Sequence, residues 1–177
     1  MNKYNTTGAR IGAAVVDSVI FWPLGLLSNY LTSELSSSTD YSAGLLIAWT
    51  VFAMSLFQFY SIFMHGKYGY TIGKKTMGIK IVTFPEELPI TYKQAFIRDL
   101  PYTVLLTADI IINIAFILHP ELMFNSNIVL LDGILGFAGL LWIAVEIISM
   151  LFNDKKRAVH DLIAKTVVIR TEKNYES

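Results

Sequence analysis

The chain has 177 residues, 54% of them hydrophobic and only 16% charged, where an ordinary soluble domain carries about a quarter charged, so water is not its main solvent. A formal net charge of zero offers no field to gather nucleic acid or an acidic substrate, which argues against nucleic-acid binding. The absence of cysteine removes disulfides and thiolate chemistry, and three scattered histidines make no metal site, so neither a metal nor a cofactor is expected.

The first apolar run, residues 11–31, follows a short basic segment that ends at Arg10. It is too long for a signal peptide, contains Asp17 and lacks a small-residue cleavage site, so it reads as a retained anchor. Crossing about 30 Å of hydrocarbon takes about 20 helical residues, and residues 43–64, 101–118 and 128–152 also meet that requirement. The connections NYLTSELSSSTDYS and HPELMFNSN are polar and hold no Lys or Arg. All fourteen basic residues fall before residue 11, within 65–100 or within 153–177, segments that the positive-inside rule assigns to the cytosol. The expectation is one all-α membrane domain spanning 1–177. It has four transmembrane helices, both termini inside, and the lipid bilayer as its immediate partner.

The segment 65–100 is patterned in its own right. Thr71 is placed to cap a short helical turn, and Ile79, Lys80, Ile81 and Val82 alternate like a strand. Residues 166–170 form a second strand-like run. Isolated strands rarely persist, so the two are predicted to pair as a small two-stranded β element beneath the membrane. In TYKQAFIRDLP, Thr91 is the expected N-cap and Tyr92, Ala95, Phe96 and Leu100 share a face, which predicts an interfacial amphipathic helix leading into the third span. DKKRAVHDLIA sets Val159, Leu162 and Ile163 opposite Lys155, Lys156 and Arg157. It reads either as an amphipathic helix on an anionic leaflet or as a topology signal without a partner.

An ionisable group in hydrocarbon costs at least about 2.5 to 3.5 kcal/mol, so each is a functional candidate. Asp17 and Glu146 fall in the inner half, Asp109 near the midplane and Asp132 near the outer surface. Asp132 and Glu146 share a helical face about 21 Å apart, with Gly133, Gly136 and Gly139 between them to admit a close neighbour. Asn113, one turn beyond Asp109, adds an oxygen ligand, and Thr103 and Thr107 add hydroxyls. Read functionally, these carboxylates form a ladder that passes protons or monovalent cations. Read structurally, Asp17 pairs with a nearby cation while Asp132 and Glu146 reach water. Arg10 and Asp17 stand about 10 Å apart along the helix, too far for contact. Arg10 is therefore expected to meet Asp99 or Asp161, and Asp17 to meet Arg98 or a backbone donor. His160 reads as a capping or interface residue, and no paired catalytic constellation is present, so no enzymatic activity is expected. The glycines around Lys74 lack phosphate-loop spacing and read as a turn with close packing.

Four segments together resemble the RDD family of small bacterial membrane proteins, named for one arginine and two aspartates. They are Arg10, Ala13 and Asp17; Gly69, Thr71, Gly73, Lys74 and Gly78; Arg98; and Asp154, His160, Asp161 and Thr166, with Asp161 as the second family aspartate. The resemblance runs over roughly residues 8–170. One departure is the long stretch between Arg98 and Asp154, which holds two spans where many relatives look more compact. The resemblance implies the inner (cytoplasmic) membrane of a bacterium and, from proposals for some members, exchange of monovalent cations for protons. Four spans leave little room for a wet pathway, so exchange implies a homo-oligomer. The alternative is a non-catalytic accessory or regulatory subunit with a membrane-protein partner.

Overall fold

A computed structural model describes residues 3–37, 42–86 and 88–171. Helices α1 (Thr7–Ser37), α2 (Ala43–Tyr68), α4 (Tyr92–Leu118) and α5 (Ser126–Phe152) are each long and apolar enough to cross a membrane. Between and after them lie α3 (Ile72–Thr76), β1 (Ile79–Thr83), a 3-10 turn (Pro120–Phe124), α6 (Val159–Ile163) and β2 (Thr166–Arg170). Large side chains such as Trp22, Phe59, Phe137 and Leu140 point outward, more than 60% exposed, as hydrocarbon surroundings permit and water does not.

The strands pair as the alternation predicts. β1 and β2 run antiparallel with Ile79 opposite Arg170, Ile81 opposite Val168 and Thr83 opposite Thr166. Their inner face buries Ile79, Ile81 and Val168 against Ala13 of α1, Ala95 of α4 and Ile90 in the segment just before α4. The ribbon thus caps one end of the helices, the end that also carries α3 and α6.

Caps set the helix limits. Ser42 accepts from the Leu45 amide at the start of α2, and Thr91 with Gln94 forms a capping box at the start of α4. Gly69, at φ +76°, ends α2 with its N–H on the His65 carbonyl.

Three boundaries differ from the sequence expectation. α1 continues to Ser37, into the polar connection, because no glycine or proline interrupts the chain between Leu26 and Ser37. Residues 38–41 of that connection, and the tail from 172 on, lie outside the described residues. The interfacial stretch from Tyr92 and the third span are one helix running through Pro101, since a single missing amide is tolerated where neighbouring helices hold the chain. The basic amphipathic helix shrinks to the single turn α6, preceded by an Asx turn. There the Asn153 side chain accepts from the Lys155 and Arg157 amides, offering that backbone an alternative to helix.

Candidate functional site

At the ribbon end, the side chains of Arg10 of α1, Arg98 of α4 and Thr166 of β2 converge on Asp161 of α6, which is fully buried. Arg10 Nη1 lies 2.5 Å from Asp161 Oδ2 and Arg98 Nη1 lies 2.7 Å from Oδ1. The Ala158 amide and the Thr166 hydroxyl donate to the same carboxylate. Burial alone would raise this carboxyl, but Arg10 and Arg98 outweigh it and hold Asp161 far below the usual carboxylate range. Of the two partners expected for Arg10, Asp161 is the one it meets. The guanidinium also donates to the Lys156 carbonyl and to Thr6.

His160 extends the network to α5. Arg98 Nη2 stands 2.7 Å from His160 Nε2, and a guanidinium only donates, so Nε2 accepts and the ring proton sits on Nδ1. Nδ1 faces Glu146 Oε2 at 2.5 Å, and the His160 amide donates to Glu146 Oε1. Burial, then the nearby Arg98 charge, pushes His160 below its ordinary value, which agrees with a neutral ring.

Asp17 takes the backbone donor, not Arg98. It accepts from the Gly73 amide at 2.8 Å, from Thr71 at 2.6 Å and from Tyr60 at 3.1 Å. A Cβ on Gly73 would fall 2.1 Å from the Ala13 carbonyl, so only glycine lets α3 dock on α1 and aim that amide. Gly78, at φ +63°, turns the chain from α3 into β1. Thr71 caps α3 by accepting from the Lys74 amide.

Asp99 joins neither arginine-paired group. Its Oδ2 accepts from Ser61 at 2.7 Å, Ser61 Oγ lies 3.3 Å from His65 Nδ1, and His65 Nε2 lies 2.8 Å from Lys74 Nζ. One turn further along α2, Gln58 donates to Thr103 Oγ1 and to the Asp99 carbonyl. Sequence reasoning missed Gln58, Ser61 and His65. The available signal was a polar stripe at helical spacing on an otherwise apolar span, through Thr50, Gln58, Ser61 and His65.

The remaining candidates lie apart. Asp109, half-buried, and Asn113 line a cleft of about 690 Å³ at the opposite end of the bundle, together with Ser28, Asn29, Thr32 and Thr50. The Asn113 amide donates to Asp109 Oδ1 at 3.1 Å. Thr107 bonds only within its own helix, to the Thr103 carbonyl. Asp132 is exposed on α5. Asp17 and Glu146 belong to the ribbon-end network and Asp109 to the cleft. The spaces beside Gly133, Gly136 and Gly139 are open, with no neighbouring helix drawn in by them. Among the described residues no group of three or more His, Asp or Glu side chains is gathered to hold a metal ion.

Residues 4–165, most of the chain, match the model of the RDD family, and the match runs through the long stretch between Arg98 and Asp154. No curated protein and no solved structure matches the chain.

Proposed function

The chain belongs to the RDD family, and from that premise we propose that it exchanges protons for small monovalent cations across a bacterial cytoplasmic membrane, as a carrier and not as an enzyme. One observation carries this reading: the polar seam between α2 and α4. On α2, Thr50, Met54, Gln58, Ser61 and His65 recur at three- and four-residue spacing. Across from them stand Asn113, Asp109, Thr103 and Asp99 of α4, joined to α2 by the Gln58–Thr103 and Ser61–Asp99 hydrogen bonds and by the shared lining of the cleft.

The seam supports a division of labour. The Asp109 carboxylate and the Asn113 amide oxygen are hard ligands of the kind that replace water around an alkali cation. The same carboxylate binds a proton in competition with the cation, which is the minimum an exchanger requires. Met54 lines the cleft one turn before Gln58 and is the apolar residue between the two polar layers. The basic segments favour placing the ribbon end in the cytosol and the cleft on the outer side.

Liposomes loaded with a pH-sensitive dye and challenged with sodium, potassium or lithium gradients test the reading. Cation-driven alkalinisation or acidification that disappears in Asp109→Asn is the expected result. Silence of the intact protein under all three gradients overturns it. The buried ion pairs around Asp161 would then favour the second reading, a rigid accessory subunit that docks a membrane-protein partner.

A further inference from the structure

We propose that Lys74, His65, Ser61 and Asp99 form a proton relay, an ordered file of donors and acceptors that carries protons between the α3 surface and the interior of the α2–α4 seam. The file has one sense. A lysine ammonium only donates, so Lys74 Nζ gives a hydrogen bond to His65 Nε2 at 2.8 Å. The ring proton is then on Nδ1, which faces Ser61 Oγ at 3.3 Å, and the Ser61 hydroxyl donates to Asp99 Oδ2 at 2.7 Å. His65, Ser61 and Asp99 are buried, and Lys74, on the short helix α3 and less buried than they are, is the outer end of the file.

The transfer balances. The Lys74 proton passes to His65 Nε2, the Nδ1 proton passes to Ser61 Oγ, and the original Ser61 hydroxyl proton passes to Asp99. Lys74 ends as a neutral amine, His65 as the other neutral tautomer, Ser61 unchanged and Asp99 as the acid. A separated charge pair has become two neutral groups, and no proton is gained or lost.

The surroundings suit a group that gives its proton up. Arg10 and Asp17 face Lys74 from α1, and Arg98 and Asp99 face it from α4. Burial first, with Arg98 next, brings Lys74 down to about 7, so near neutrality it is both donor and acceptor. As the inner proton port of the exchanger, the relay rests on the carrier reading; as a buried proton-conducting file, it stands without it.

The test measures exchange of the His65 Nδ1 proton with deuterated water, by nitrogen-15 histidine spectra of the full chain in lipid nanodiscs. The His65 signal is the one that His65→Gln removes, and His160 serves as the internal reference. A relay predicts exchange about 100-fold slower in Ser61→Ala and in Lys74→Met, the low end of what positioned proton-transfer groups contribute. Ser61→Thr, which keeps the hydroxyl, retains fast exchange, and His160 does not change. A merely structural role predicts the opposite sign, since loosened packing speeds exchange. Unchanged or faster exchange in Ser61→Ala overturns the relay. Dye-loaded liposomes separate the two ideas: slowed exchange in the variants without cation-driven flux in the intact protein ends the carrier reading and leaves the relay, while flux with unslowed exchange does the reverse.

Discussion

Arg10 of α1 and Asp161 of α6 are 151 residues apart in sequence and 2.5 Å apart in space, in a site where the carboxylate has no exposed surface. Helix geometry keeps Arg10 from Asp17, so each takes its own partner: Arg10 pairs with Asp161 and Asp17 binds the α3 backbone. One charged pair thereby joins the first span to the carboxyl-terminal elements, and a second, Arg98–Asp161, brings in α4.

Asp161→Asn leaves two guanidinium groups, Arg10 and Arg98, without their anion. Removing one member of a buried ionic group costs about 3 to 5 kcal/mol, and thermal unfolding in detergent is expected to show a loss of that order. Asp132→Asn, on the exposed face of α5, is the control and stays within about 0.5 kcal/mol.

Gly73→Ala drives a methyl into the Ala13 carbonyl, and backbone cannot step aside as a flexible side chain does. A destabilisation of at least about 1 to 3 kcal/mol is expected, with loss of the α1–α3 contact. Gly12→Ala meets only the flexible end of Met77, at 3.1 Å, and is tolerated far better. Comparative melting of the two variants checks the ranking.

Glu86 binds Lys3, Tyr4 and Lys155 and ties the β1 end to both flanking segments. Its slight burial would raise the carboxyl, but the hydrogen bond from Lys3, followed by those from Tyr4 and Lys155, outweighs this and brings it to about 2. The folded value lies below the ordinary 4.5, so the stabilisation is complete above 4.5 and vanishes as pH falls through about 2. The difference in melting temperature between the intact protein and Glu86→Gln is expected to close over that window.

Lys74 shifts in the same direction, but as a cost carried by the charged form rather than a gain. Its folded value, about 7, lies below the ordinary 10.5, so the charged form is penalised in full below about 7 and the penalty lifts as pH climbs toward 10.5. Unfolding followed across that range is expected to show stability rising in the intact protein, a slope that Lys74→Met removes.

What the sequence made legible follows from the physics of each signal. Alternation in Ile79–Val82 and in residues 166–170 announced the ribbon, because period-two burial has few other causes. Seven residues between Arg10 and Asp17 excluded one pairing and pointed each group elsewhere. Gln58, Ser61 and His65 escaped notice because, alone among apolar neighbours, each reads as tolerated polarity, and only the fold sets Asp99 opposite them. The brevity of α6 was hidden too, since helical periodicity carries no information about an Asn153 side chain bonding to its own downstream backbone.

The long-range pairing with Asp161 also bears on biosynthesis. Translation at about 5 to 20 residues per second leaves some ten seconds between the emergence of Arg10 and that of its counter-ion. Throughout that interval the guanidinium at the start of the first span is without the Asp161 carboxylate that it meets in the finished fold. Assembly of this end of the molecule is therefore post-insertional: the spans enter one by one, and the charged seal closes last.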